Sequence, residues 1–219
     1  MAGPRYKFQG SGFYVLREFG ADSPSSVITG ITNADPPVVT STTHGRSSGD
    51  VIYVQQVAGM TEVNNRAYII EVINANSFRL MGNDSTHWGT YTSNGNFDVG
   101  VWSELCSTAW SRTGGSKTQI EVTDSCSVAQ EFESGLSGPG TVQLSFNYAP
   151  NTSTAQVALR TWDESGATMA VKVVMPGNGG TVVYLGQVLQ LSDSSSVNGV
   201  WLGTANIQLS GFGYHIAAA

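Results

Sequence analysis

Charge is scarce in this chain. Only 12 % of its 219 residues are Asp, Glu, Lys or Arg, about half the usual share of a soluble domain. No basic run occurs, and 16 acids against 10 bases leave a net charge of −6. Nucleic-acid binding by phosphate neutralisation is therefore disfavoured. Cysteine is almost missing: Cys106 and Cys126 make neither a disulfide framework nor a metal set. We expect two free, half-buried thiols in a reducing compartment. The N-terminus lacks the charged-then-apolar pattern of a secretory signal, and no apolar run is long enough to span a bilayer. The expectation is synthesis in the cytosol, with the chain soluble until it assembles, and no membrane partner.

Catalytic patterns are equally thin. His44, His87 and His215 lie far apart in sequence with no triad or ligand partner at a recognisable spacing, and read as surface or turn residues. Gly135-Leu136-Ser137-Gly138-Pro139 misses the nucleophile elbow, because proline stands where the last glycine belongs. No phosphate-cradling glycine motif is present. Asp163-Glu164 reads as a solvated hairpin turn rather than a carboxylate pair. The five tryptophans, Trp88, Trp102, Trp110, Trp162 and Trp201, are scattered, so core or interface packing is their default role. The reading is of a non-enzyme with no catalytic residue, no cofactor and no metal.

What is abundant is β-pattern and turn chemistry. Glycine occurs 26 times, with Ser and Thr plentiful. Gly12–Phe19 reads as a strand closed by a turn at Ala21–Pro24, where local side-chain hydrogen bonds and a fixed φ favour reversal. Residues 26–97 read as an inserted small all-β domain with strands near 27–32, 37–42, 51–56, 67–73 and 77–81. Pro36-Pro37 lacks ladder donors and must lie off a central strand. Residues 83–95 form a polar loop with Trp88 and Tyr91 as aromatic anchors. The larger domain, residues 1–25 and 98–219, reads as a mainly β sandwich or partly closed barrel with one short helix. Within it Val101–Ser111 and Lys117–Thr123 are expected to pair around Arg112–Ser116. The short helix is placed at Val128–Glu133 and stopped by Gly135. In Thr141–Tyr148 apolar residues alternate strictly, putting Val142, Leu144, Phe146 and Tyr148 on one face. Ala155–Trp162 is expected to pair as a strand with Thr168–Val174. Thr181–Leu185, Gly186–Leu191 and Thr204–Leu209 complete the set.

Two resemblances rest on particular residues. Ile28-Thr29-Gly30-Ile31-Thr32, Val38-Val39-Thr40, His44-Gly45, Gly49-Asp50-Val51, Gly59-Met60-Thr61, Asn64–Tyr68 and Asn76-Ser77-Phe78 resemble a small β domain of phage structural proteins. That domain is similar to the first catalytic-cysteine half-domain of ubiquitin-activating enzymes, which carries none of their catalytic residues. Trp102–Leu105, Ser111–Gly115, Ile120–Ser127, Glu131–Leu136 and Gly140–Tyr148 resemble, in that order, major tail tube proteins of long, non-contractile phage tails. The long insertion before Val99 departs from the family pattern.

The second resemblance implies a viral structural protein of the virion tail. It would form homo-hexameric rings stacked around a tape-measure protein, ending at tail-terminator and tip proteins. Genome DNA would pass the lumen without specific binding, and the inserted domain would lie on the tube exterior. It also implies contact roles between subunits or rings for Arg112, Gly114, Gly115, Asp124, Glu131, Phe132 and Leu136, and for the N-terminus and Gly211–Ala219. A head-decoration or tail-completion protein is the alternative within structural proteins. A carbohydrate-binding adhesin using Trp88 and Tyr91 is the alternative outside them.

Overall fold

The computed structural model describes residues 6–20 and 27–218. The expected turn at Ala21–Pro24 lies outside them. Among the described residues there are fifteen strands and one α-helix, in the order β1 (Gly12–Gly20), β2 (Gly30–Ile31), β3 (Val38–Thr40), β4 (Val51–Gln55), β5 (Arg66–Asn74), β6 (Ser77–Leu80), β7 (Asn96–Glu104), β8 (Ser107–Thr113), β9 (Lys117–Glu121), β10 (Phe132–Ser137), β11 (Thr141–Asn147), α1 (Thr154–Ser165), β12 (Met169–Val174), β13 (Thr181–Ser194), β14 (Leu202–Leu209) and β15 (Tyr214–Ile216). The fold is mainly β, as the composition and alternation predict. Thirteen strands form one antiparallel sheet ordered β2-β3-β6-β5-β4-β7-β1-β12-β13-β14-β11-β8, with β15 also on β13, and β9 and β10 pair only with each other.

Residues before and after the insertion share this sheet. The first part of β7 pairs with β4, Ile52 opposite Val99 and Val54 opposite Phe97. Its second part pairs with β1, Val15 opposite Ser103. One strand therefore carries the ladder from the inserted module into the body.

Three apolar clusters follow from the alternation of side chains across this sheet. The module core gathers Ile52, Val54, Tyr68, Ile70, Phe78, Leu80 and Phe97, with Val63 from a 3-10 turn at Thr61–Val63 and Met60 just before it. The body core gathers Phe13 and Val15 of β1, Val142, Leu144 and Phe146 of β11, Val171 of β12 and Ala155, Ala158 and Leu159 of α1. A third cluster, Leu16, Val51, Ile69, Ala170 and Val183, with Phe19, Trp102, Tyr214 and Ile216 against it, is a seam joining the two.

A β-bulge builds the seam. The register of β1 against β7 slips between Leu16 and Glu18. The extra residue resets the alternation, so Leu16 and Phe19, three apart in sequence, face the same side. Arg17 and Glu18 remain outside and pair with each other. Gly100, opposite Phe19, leaves room for Leu16: a Cβ there would lie 2.6 Å from Leu16 Cδ1. Gly49 serves the same seam, since a Cβ on it would lie 1.9 Å from Ile216 Cδ1.

The body sheet coils without closing. Trp110 on β8 stacks 5.7 Å from Phe13 on β1 and 6.1 Å from Tyr184 on β13. Among the described residues no hydrogen-bonded ladder links β8 to β1, so the barrel is open. Helix α1 packs on β1 and β13. Buried Gln156 ties it to the end of β11, accepting from Ala149 N–H at 2.7 Å and donating to Asn147 C=O at 2.8 Å. The indole of Trp162 donates to Leu16 C=O at the bulge, at 2.6 Å.

Several sequence expectations are corrected. Ala155–Trp162 is helical, because Ser153 caps the N-terminus by accepting from Gln156 N–H and Gly166 ends it at φ 62°. Residues 128–133 are not a helix: Val122 N–H donates to Glu131 C=O, and Phe132 pairs opposite Glu121. Gly135 sits inside β10 rather than stopping a helix. The expected pairing around Arg112–Ser116 does not form, since β8 pairs with β11 and β9 with β10. Thr181–Leu191 is one long strand, continuing to Ser194. Asp163 and Glu164 lie in α1, not in a hairpin turn. Tyr148 falls just beyond β11 and is exposed.

Candidate assembly surface

The seven residues singled out from the sequence fall along one piece of structure. Arg112 ends near the sheet edge, its guanidinium 5.4 Å from the Tyr184 ring centroid. The chain then leaves the sheet through Gly114 and Gly115 and returns through Gly138. These two crossings touch: a Cβ on Gly115 would lie 1.2 Å from Gly138 O, and Gly138 N–H donates to Ser116 C=O. Between them β9 and β10 form a two-stranded arm that pairs with no other strand and packs extensively on no other element among the described residues.

Asp124 organises the tip, accepting from Cys126 N–H at 2.8 Å, with Ser127 Oγ accepting from Asp124 N–H at 3.1 Å. Glu131 N–H donates to Thr123 Oγ1 at 3.0 Å. The carboxylates face water. So do large apolar side chains: Ile120, Val122, Val128, Phe132 and Leu136 are all exposed, Leu136 at 91 %. An isolated two-stranded ribbon with uncovered apolar side chains is marginal in water. The sheet edge beside it is also open, because β8 pairs only with β11 among the described residues. Exposed edges of this kind are where chains pair with other chains.

A second apolar surface sits at the far end of β13 and β14, with Leu189, Val197, Val200, Trp201 and Leu202 exposed. There the Trp201 ring lies 6.2 Å from Tyr148. A cleft of about 940 Å³ separates module from body. Its walls include Phe19, Tyr53, Trp162 and Phe212, with Arg66 at the module side. Phe19 stacks 5.2 Å from Tyr53 and meets Trp162 edge-on at 6.2 Å. Beneath it Tyr68 is buried, its hydroxyl donating to Val63 C=O at 3.1 Å. Burial pushes that phenol up to about 12, with Arg66 opposing the rise.

The other polar candidates have structural partners. His44 is buried rather than at the surface, its Nε2 2.9 Å from Asn74 C=O and its Nδ1 accepting from Arg46 N–H. Trp88 and Tyr91 are half-buried and pack on the module core, and the Tyr91 hydroxyl donates to Ile28 C=O at 3.0 Å. Asn33 holds the loop between them by donating to Trp88 and Gly89 carbonyls. Lys172 lies 4.5 Å from the Trp102 ring and 5.0 Å from Tyr14. Burial lowers its pKa, against the charge of Asp50. Cys106 and Cys126 are both exposed, not half-buried. Among the described residues no three His, Cys, Asp or Glu gather to hold a metal, and no helix is long and apolar enough to cross a membrane.

The arm, the cleft and the bulged seam were not visible in the sequence. The arm left one signal, the close Gly114-Gly115 and Gly138 punctuation on either side of it.

Residues 36–99 match the family model of the ubiquitin-activating enzyme E1 FCCH domain. The inserted module is thus similar to that non-catalytic half-domain, as its motifs suggested. No curated protein matches the chain.

Proposed function

We propose that this chain is a tail tube subunit of a long, non-contractile phage tail. In this reading copies assemble through the β8 edge and the β9–β10 arm into rings, six to a ring by the family resemblance, and the rings stack into a conduit for genome DNA. One observation carries the reading: an open barrel ends in a free strand edge and an apolar arm that no described residue of the same chain covers. A ring satisfies such edges by closure. The low charge of the chain suits surfaces that copies of it will cover, because interface centres are depleted in charge. The net charge of −6 suits a wall that DNA passes without sticking. Arg112, Gly114, Gly115, Asp124, Glu131, Phe132 and Leu136 would form contacts between subunits or rings. The module would sit on the outside, since its bulk would obstruct a lumen.

Quantitative mass spectrometry of virions carrying this chain tests the reading. Copy numbers comparable to those of the major capsid protein are expected. A handful of copies per particle would refute it.

A further inference from the structure

We propose that the module–body cleft is the seat for the β9–β10 arm of a second copy of this chain. The inference rests on the tube reading only in that copies must meet one another. The two surfaces complement each other in apolar character and in charge. Phe19, Tyr53, Trp162 and Phe212 give the cleft an aromatic lining, and among the described residues Arg66 is its one cation and no Asp or Glu lines it. The arm, residues 117–137, carries Lys117 against Glu121, Asp124, Glu131 and Glu133, a balance of 1 − 4 = −3. Its uncovered side chains are apolar, with Phe132 52 % exposed and Val128 at the tip wholly so. A cleft of about 940 Å³ admits the side chains of a ribbon tip.

Position along the sheet strengthens the case. The arm leaves next to β8, at one end of the strand order, whereas the cleft is walled by β4, β5 and β13. No arm residue lines the cleft of its own chain. Donor and acceptor surfaces are therefore different patches, and their contact is head-to-tail. Such contacts propagate into rings or filaments instead of ending at a twofold dimer. Arg66 is exposed, so its part is to steer and register the acidic arm more than to add raw affinity. The module then has a mechanical purpose, supplying one wall of the socket.

Two cysteine variants test this, each in a Cys106→Ser, Cys126→Ser background. One carries Val128→Cys on the arm and the other Ser210→Cys at the exposed cleft rim. Mixed under mild oxidation they should give a disulfide-linked heterodimer that neither gives alone. Adding Arg66→Glu to the cleft partner should cut the yield about tenfold, and arms carrying Glu131→Lys and Glu133→Lys should recover it. Electron microscopy of the same mixtures separates the two claims. Tubes without the heterodimer overturn the arm-in-cleft contact and leave the tube reading standing. The heterodimer without tubes supports the contact and counts against the tube. Neither product overturns both, and an arm-to-arm disulfide as abundant as the mixed one overturns the contact alone.

Discussion

Replacing Leu16 with alanine should destabilise module and body together. Leu16 is fully buried in the seam, against Val51 and Ile69 from the module and Ala170 and Val183 from the body. Leucine-to-alanine truncations in cores cost about 2–5 kcal/mol, depending on how far the walls collapse. Here the walls are hydrogen-bonded strands β1, β7, β4 and β12, and the approach of Leu16 to Gly100 is close. Collapse is limited, and a cost of about 3 kcal/mol follows. For a chain of this size each kcal/mol moves Tm by roughly 2–4 °C, so the expected fall is roughly 6–12 °C. Calorimetry in dilute solution gives the Tm. Hydrogen exchange at Tyr68 and Ile70 in the module, and at Val171 and Val183 in the body, shows which part opens. Protection should drop in both. Ile73→Ala, at an exposed position, is the control and should stay within about 0.5 kcal/mol. A fall below about 2 °C, or loss of protection in the body alone, would refute the shared-seam reasoning.

Three further outcomes are expected. Gly100→Ala places a Cβ 2.6 Å from Leu16 Cδ1 and 3.1 Å from Val51 O; overpacking of this kind costs about 1–3 kcal/mol, read as a shift in urea midpoint. Excising residues 117–137 and joining Ser116 to Gly138, whose backbones already hydrogen-bond, should leave the thermal transition nearly unchanged while abolishing sedimentable assemblies; a stability loss as large as that of Leu16→Ala would contradict the arm's independence. Burial lowers the Lys172 pKa from 10.5, so the cost of its charged form is fully present at neutral pH. That cost is relieved as pH rises from the lowered pKa toward 10.5. Urea titrations should show the native protein gaining stability relative to Lys172→Arg across that window, and parallel curves would contradict the assignment.

The legible parts of this fold were those written in period two. Val142, Leu144 and Phe146 announced β11, and the module strands were placed to within two residues, except the first, expected over 27–32 and formed only at Gly30–Ile31. The helix was misplaced because Val157 and Leu159 mimic a strand, while Ala155, Ala158, Leu159 and Trp162 follow the helical period and needed Ser153 and Gly166 as caps to be read correctly. Val128 and Phe132, four apart, mimicked a helix where a ribbon stands. The bulge at Arg17 left no trace in composition, since it depends on the register with β7. The cleft was invisible for the same reason: its walls come from β1, β4, β5, α1 and β13, brought together only by the sheet order. The seven contact candidates were chosen through motif order; that Asp124, Glu131, Phe132 and Leu136 share one arm, with Arg112, Gly114 and Gly115 leading into it, emerged only with the pairing of β9 and β10.

The most direct measurement is negative-stain electron microscopy of the purified protein over rising concentration. Hollow fibres of constant diameter, with ring-like end views, are the expected result. A chain that stays a monodisperse monomer at every concentration, arm intact, would contradict self-assembly through unpaired edges.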